Sequence, residues 1–77
     1  MTITAIQVRS IVESVADVPE GWSNDSLFAD IDLDSLDVME VLLGVQELTE
    51  VVVPDGDIEH VQSVTRIVQY LNNLPAA

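Results

Sequence analysis

Apolar residues recur at helical spacing in three stretches of the chain, and polar connections containing glycine and proline separate these stretches. One stripe crosses the first stretch and consists of Thr4, Val8, Ile11 and Val15. Its spacing predicts a helix over residues 3–17. Ile3 and Ile6 fall outside the stripe, so the pattern does not fix the exact start of the helix or the packing of its first turn.

Residues 17–34 have the composition of a long loop, because Pro19, Gly21 and Asn24 interrupt any helical pattern. A loop of this length in a compact domain is usually held in place by its own side chains. We therefore expect its larger apolar residues to pack on the helices: Trp22, Leu27, Phe28 and Ile31.

A second helix is predicted from Ser35 to about Thr49, since Asp34 can cap its N-terminus and Asp37 can complete a capping box. One broad side of this helix is apolar and is expected to face the core: Val38, Met39, Val41, Leu42, Val45 and Leu48. The other side holds Leu36, Asp37, Glu40, Leu43, Gly44 and Glu47. Apolar anchors with a charged rim are typical of a docking surface, although single exposed leucines are also common.

The β-branched residues 51–53 and then Pro54 end the second helix. The polar residues 55–57 predict a turn that opens one short helical turn over Ile58 and Val61. Ser63 can cap a last helix. Its apolar stripe is Val64, Ile67, Val68, Leu71 and Leu74, and its end is marked by Asn72, Asn73 and Pro75.

Together these elements predict an all-α fold of four helices, with a long loop between the first two helices and a short third helix. The 77 residues are enough for one domain, which we assign to residues 1–77. Met1 and the short tail that ends at Ala77 favour an independent polypeptide.

The charge balance is strongly acidic, because 14 acidic residues face only Arg9 and Arg66, and the net charge is -12. Nucleic acid is excluded as a partner, since binding to its phosphates requires Lys and Arg. A basic protein partner is favoured; acidity that only maintains solubility is the alternative. No stretch approaches the roughly 18–20 apolar residues of a membrane span. We expect a soluble, cytoplasmic monomer.

The sequence offers little for catalysis or metal binding, because it has no cysteine, no lysine and one histidine, His60. The acidic residues 30–34 alternate as in a calcium-binding loop. However, Ser35 and Val41 occupy the positions where such a loop needs glycine and a bidentate glutamate. We therefore predict neither catalytic residues nor a metal site.

Ser35 lies in the first turn of the second helix, where backbone N–H groups lack partners and the helix dipole is positive. A phosphate attached there would be favoured. From position alone, a serine that only helps to begin the helix is the simpler interpretation.

Residues 34–37 spell D-S-L-D, and here the chain resembles the acyl carrier proteins of fatty-acid and polyketide synthesis. The resemblance continues through Met39, Glu40, Glu47, Val53, Pro54, Asp55, Ser63, Val64, Tyr70 and Leu71. It implies a four-helix bundle that is a carrier and not an enzyme. It also implies that Ser35, between Asp34 and Leu36, receives 4′-phosphopantetheine from coenzyme A.

The same resemblance implies two kinds of partner: a phosphopantetheinyl transferase, and acyl-transferring and synthase enzymes with basic docking patches. The matching docking positions are Leu36, Asp37, Glu40, Leu43 and Glu47. Some members of the family hold acyl chains between their helices. Here such a space would be lined by Leu42, Val45, Val61 and Ile67.

Two departures from the family pattern concern positions that commonly hold glycine. Asp32 stands two residues before the aspartate of the motif, and Thr49 and Glu50 replace the phenylalanine-glycine pair after the second helix. They favour a carrier of a specialised pathway at least as much as a general fatty-acid carrier. Two further alternatives are an aminoacyl or peptidyl carrier of nonribosomal assembly and an acidic interaction module that is never modified.

Overall fold

The computed structural model describes residues 3–73, which form three α-helices and two 3-10 helices and contain no strand. Helix α1 spans Ala5–Val15, α2 spans Ser35–Thr49 and α3 spans Val64–Asn72. The first 3-10 helix, Phe28–Ile31, lies in the long loop between α1 and α2, and the second, Asp55–His60, precedes α3. The predicted all-α fold is confirmed, with the second 3-10 helix as the short third helix.

Helix α1 packs against both α2 and α3, and α3 also contacts the second 3-10 helix. One apolar cluster fills the space between them: Ile3, Val8, Val12, Trp22, Phe28, Ile31, Leu33, Val38, Val41, Leu42, Val45, Val61, Val64, Ile67 and Leu71. Full burial of a side chain as large as Phe28 is worth about 1.5–3 kcal/mol. The described residues thus share one core.

The long loop packs on the helices through Trp22, Phe28 and Ile31, as predicted, but not through Leu27. Leu27 is extended, with φ -69° and ψ 140°, and it directly precedes Phe28, which is fully buried. Neighbouring side chains of an extended backbone point to opposite sides, so Leu27 faces outward and is 38% exposed.

Arg9 fixes the loop to α1. Its guanidinium carbon lies 4.0 Å from the centroid of the Trp22 ring. Its Nη1 donates to the backbone oxygen of Trp22 at 3.3 Å and to Oδ1 of Asn24 at 2.9 Å. A cation over an aromatic face contributes about 0.5–2 kcal/mol. One of the two arginines therefore stabilises the fold and does not neutralise a carboxylate.

Helix α1 is shorter than the predicted helix of residues 3–17. Thr4, predicted on the apolar stripe, is the exposed N-cap, and its side-chain oxygen accepts a bond from the backbone N–H of Gln7 at 3.4 Å. Ala16 is extended, with φ -142°, and ends the helix. Ile3 is buried although it falls outside the predicted stripe. It precedes the helix, so the helical wheel does not describe the direction of its side chain.

Helix α3 begins as predicted, because the hydroxyl of Ser63 accepts a hydrogen bond from the N–H of Arg66 at 3.1 Å. Its stripe faces the core through Val64, Ile67 and Leu71, while Val68 is half-buried. The predicted stripe residue Leu74 and the terminator Pro75 lie outside the described residues.

The two positions where the resembled family commonly has glycine both adopt a left-handed backbone, with φ 67° at Asp32 and φ 61° at Glu50. Glu50 ends α2, and its N–H donates to the carbonyl of Gln46 at 2.7 Å. The preceding Thr49 is buried, and its hydroxyl donates to the carbonyl of Val45 at 2.8 Å. The departures thus keep the glycine-type backbone but add the steric cost of a side chain.

Replacing Glu50 by glycine should therefore stabilise the protein by about 0.5–1 kcal/mol, because glycine adopts positive φ without a Cβ clash. Urea denaturation measures the free energy of unfolding. The matched control is Glu59→Gly, which removes the same charge at an exposed position without a positive φ and should not stabilise. No gain from Glu50→Gly, or an equal gain from the control, would contradict this explanation.

The second 3-10 helix has no buried residue, and a side-chain hydrogen bond holds it to α3. The hydroxyl of Tyr70 donates to Oδ2 of Asp57 at 2.8 Å. This bond, followed by partial burial of the phenol and the negative charge of Asp57, raises the pKa of Tyr70. The bond exists only while the phenol is protonated.

Tyr70→Phe should lower the free energy of unfolding by about 1 kcal/mol at neutral pH, the net value of one hydrogen bond. Because the folded pKa is raised, the stabilisation is fully present below the unfolded tyrosine value of about 10 and is lost as pH rises through the folded value. Urea denaturation of both proteins at neutral and alkaline pH measures the difference. A difference that stays constant through this pH range would show that the bond is not its source.

Candidate functional site

The N-terminus of α2 is fixed by a reciprocal pair of hydrogen bonds. Oδ1 of Asp34 accepts a bond from the N–H of Asp37 at 2.9 Å, and Oδ2 of Asp37 accepts one from the N–H of Asp34 at 3.4 Å. This is the predicted capping box. It makes Ser35 the first residue of α2, with an exposed side chain.

The capping box leaves the backbone donors closest to the Ser35 hydroxyl available. It uses the N–H groups of Asp34 and Asp37, and the hydrogen bonds of the described chain include none from the N–H of Ser35 or Leu36. These two donors and the positive end of the helix dipole can stabilise a phosphate on the hydroxyl, against repulsion by the two capping carboxylates.

A groove of about 320 Å³ opens beside Ser35, and we call it the serine groove. It is lined by Ala29, Leu33, Asp34, Ser35, Val38, Met39, Ile58 and Gln62. Most of this lining is apolar, with an amide and a carboxylate among it. An elongated arm of methylene and amide groups attached to Ser35 fits such a surface, so the residues present suit the group that the resemblance implies.

A second groove of about 420 Å³, the apolar groove, lies along α2 toward the second 3-10 helix. Seven apolar residues line it: Leu36, Met39, Leu42, Leu43, Val52, Val53 and Ile58. Its polar lining residues are Glu40, Gln46 and Asp55. This volume is within the usual range of small-molecule sites.

Four of the five predicted docking residues lie on the solvent-facing side of α2, and the fifth, Asp37, takes part in the capping box. Leu36 and Leu43 are 74% and 53% exposed, and Glu40 and Glu47 are exposed beside them. Asp37 is half-buried because its carboxylate belongs to the capping box. Val52, which was not predicted from the sequence, is also exposed and borders the apolar groove. Val52 follows the end of α2, so the helical pattern could not indicate on which side it would lie.

The core-facing arc of α2 is narrower than predicted. Met39 and Leu48 were both assigned to the core, but each is 48% exposed. Met39 lines the two grooves, and Leu48 lines a shallower groove between α1 and α2. The reason is that α1 and the short second 3-10 helix leave both flanks of α2 partly uncovered.

The interior space predicted for an acyl chain is filled by side chains. Val45, Val61 and Ile67 are enclosed in the core, whereas Leu42 borders the apolar groove. The structure therefore offers space on the flank of α2 and not between these three residues.

Cationic partners of the carboxylates are scarce in residues 3–73. The single ion pair found there joins Nε2 of His60 to Oε1 of Glu59 at 3.9 Å, and both side chains are largely exposed. Within the same residues, no cluster of three histidine, aspartate or glutamate side chains is arranged to hold a metal ion. No helix among them is long and apolar enough to cross a bilayer.

Comparison with known proteins agrees with this site. Residues 7–71 match the family model of the phosphopantetheine attachment site. The mitochondrial acyl carrier protein of Neurospora crassa is 36% identical over 72 residues, which cover 92% of this chain and 53% of that protein. The acyl carrier proteins of Campylobacter fetus and Campylobacter hominis are 32% and 33% identical, over 83% and 88% of this chain and 84% and 89% of their own lengths.

The chain thus spans about half of the mitochondrial relative and most of the bacterial ones. The matched residues include Ser35, both grooves and the predicted docking residues of α2. Covalent 4′-phosphopantetheine is the cofactor that this match indicates, and proteins of this kind are carriers and not enzymes. The chain belongs to the acyl carrier protein family.

Proposed function

We propose that Ser35 is the attachment point of 4′-phosphopantetheine and that the chain delivers acyl groups to partner synthases. The observation that carries this proposal is the position of Ser35: it is exposed, it is the first residue of α2, it lies beside two available N–H groups, and it lines the serine groove. Asp34 holds the start of the helix, and Leu36 supplies one of the two donors. The group provides the thiol on which acyl thioesters are held, since the chain has no cysteine.

The proposed pathway is fatty-acid, polyketide or specialised lipid biosynthesis. The relatives carry the name acyl carrier protein, which favours an acyl group over the aminoacyl group of a nonribosomal carrier. The match to a phosphopantetheine attachment site argues against a module that is never modified. The cytoplasm stays our prediction for the compartment, with bacterial as well as mitochondrial proteins among the relatives.

The proposed partners are a phosphopantetheinyl transferase and synthases that read the exposed side of α2. Leu36 and Leu43 provide apolar anchors, and Glu40 and Glu47 form a carboxylate rim. The net charge of -12 attracts a basic surface over a longer distance. A basic patch with an apolar centre is complementary to this face.

Incubation with coenzyme A and a phosphopantetheinyl transferase should add one phosphopantetheine to the protein, and Ser35→Ala should abolish the addition. The melting temperature should change little, because the Ser35 side chain is exposed. Intact-mass spectrometry measures the addition. The matched control Ser10→Ala, at an exposed position on α1, should be modified normally. Addition to the Ser35→Ala protein, or attachment elsewhere, would remove the proposal.

Charge and apolar contact on α2 should affect the transferase complex differently. Reversal of Glu40 and Glu47 to lysine should slow association about tenfold at low salt, because rim charges steer encounter, and salt should reduce the effect. Leu36→Ala should instead raise the dissociation rate at low and high salt, because it removes a desolvated anchor. Stopped-flow or surface-binding kinetics at two salt concentrations separate the two rates.

Ile6→Ala is the control for Leu36→Ala, because Ile6 is an equally apolar and 80% exposed residue on α1. It should leave both rates unchanged. All these variants should stay within about 0.5 kcal/mol of the original stability, as surface substitutions usually do. An association rate that is unaffected by the charge reversals at low salt would show that this side of α2 is not the docking face.

A further inference from the structure

The groove between α1 and α2 is separate from the serine groove and the apolar groove. It has a volume of about 580 Å³, and we call it the α1–α2 groove. None of its lining residues lines either of the other two grooves: Ile6, Gln7, Ser10, Ile11, Gly44, Glu47 and Leu48. The proposed attachment of an arm at Ser35 therefore gives this surface no role.

Gly44 allows the two helices to meet at the floor of the α1–α2 groove. A Cβ atom at Gly44 would lie 2.7 Å from Cγ2 of Ile11, which is closer than two such atoms approach. Glycine thus permits a direct contact between α1 and α2 at this point. Because this contact forms the floor, a partner can bind without first ordering the groove.

The walls of the α1–α2 groove carry two large aliphatic side chains that the described chain leaves partly uncovered. Ile6 on α1 is 80% exposed, and Leu48 on α2 is 48% exposed. Gln7, Ser10 and Glu47, which also line the groove, are exposed. An apolar centre with a polar rim is typical of a protein-binding surface.

The charge of the chain indicates what kind of partner fits the α1–α2 groove. Glu47 is the one charged residue in its lining. A second copy of the chain would bring another net charge of -12 and no lysine, so it would be repelled. A basic amphipathic helix is complementary instead. Its lysine or arginine can pair with Glu47 while its apolar side chains contact Ile6 and Leu48.

A partner in the α1–α2 groove would lie away from Ser35. At about 100° per residue, Gly44 and Leu48 lie roughly 140–180° around the axis of α2 from Ser35. Leu48 is also about 20 Å further along the axis, at 1.5 Å per residue. A helix bound between α1 and the C-terminal half of α2 therefore leaves Ser35 and the serine groove uncovered.

We propose that the α1–α2 groove is a second interaction surface, which binds an amphipathic helix of a basic protein and holds the chain while Ser35 stays accessible. The partner is one that retains the protein in an assembly without acting on the arm. This binding does not depend on the proposed attachment at Ser35. It gives a role to Ile6 and Leu48, which lie outside the proposed docking residues of α2.

The test uses the full chain and a synthetic amphipathic helical peptide with leucine on one face and lysine on the other. Fluorescence anisotropy of the labelled peptide at low salt measures the dissociation constant, and backbone amide chemical shifts locate the peptide. The shifts should centre on Ser10, Gly44 and Leu48 and stay small at Leu36. A peptide with glutamate in place of lysine should bind at least about tenfold more weakly, because like charges repel.

Ile6→Ala and Leu48→Ala should each weaken binding of the lysine peptide about fivefold or more, because each removes apolar contact area. The matched control Leu27→Ala truncates an exposed leucine that lines none of the three grooves, and it should not change binding. Leu36→Ala, on the docking side, should also leave peptide binding unchanged. Saturating peptide should not prevent the transferase from adding phosphopantetheine to Ser35.

Several results would overturn the inference. Shifts centred on Leu36 and Leu43 would place the peptide on the docking side. Unchanged binding in both Ile6→Ala and Leu48→Ala, or equal binding of the two peptides, would show that the groove does not select a basic apolar helix. Self-association that Ile6→Ala abolishes would show that the groove takes a second copy.

Blocked phosphopantetheine addition in the presence of the peptide would contradict the accessibility of Ser35. Failure of the proposed function is distinguishable, because it is absence of the mass increase without any peptide. That failure would leave the peptide-binding measurements unaffected.

Discussion

The capping box between Asp34 and Asp37 is the interaction on which the functional surface depends. It determines where α2 begins and makes Ser35 the first residue of the helix. With this start, Ser35 is exposed, Leu36 faces solvent and Val45 faces the core. Loss of such a cap typically costs about 1 kcal/mol. These two hydrogen bonds thus fix the helix start at which the proposed attachment point lies.

Three sides of α2 differ in their surroundings: one packs in the core, one is exposed to solvent and one carries the grooves. This is possible because α1 and the second 3-10 helix cover only part of α2. Packing on α1 covers the arc around Val45, while the second 3-10 helix is too short to cover the flank that carries Met39. The grooves therefore lie on that flank, next to the exposed leucines. Arg9 contacts Trp22 and Asn24 and, among residues 3–73, forms no ion pair with the carboxylates of α2.

Local features of the fold could be predicted from the sequence, since they depend on residues close together in the chain. The cap at Ser63 and the extent of α2 follow from side chains within one helical turn. Met39 and Leu48 could not be placed correctly, because their exposure depends on how little a distant segment covers them. The left-handed backbone at Glu50 was not predicted either; its one signal was the glycine that the resembled family commonly has at this position, since glycine prefers this conformation.

In the proposed carrier, the capped start of α2 presents Ser35 and two adjacent N–H donors to a phosphate, and the serine groove receives the arm. This arrangement can be tested by backbone amide chemical shifts of the protein before and after phosphopantetheine attachment. The largest changes are expected at Ser35 and Leu36, smaller changes at Met39 and Ile58 in the serine groove, and little change in α1. Changes centred on α1, or none at Ser35 and Leu36, would contradict it.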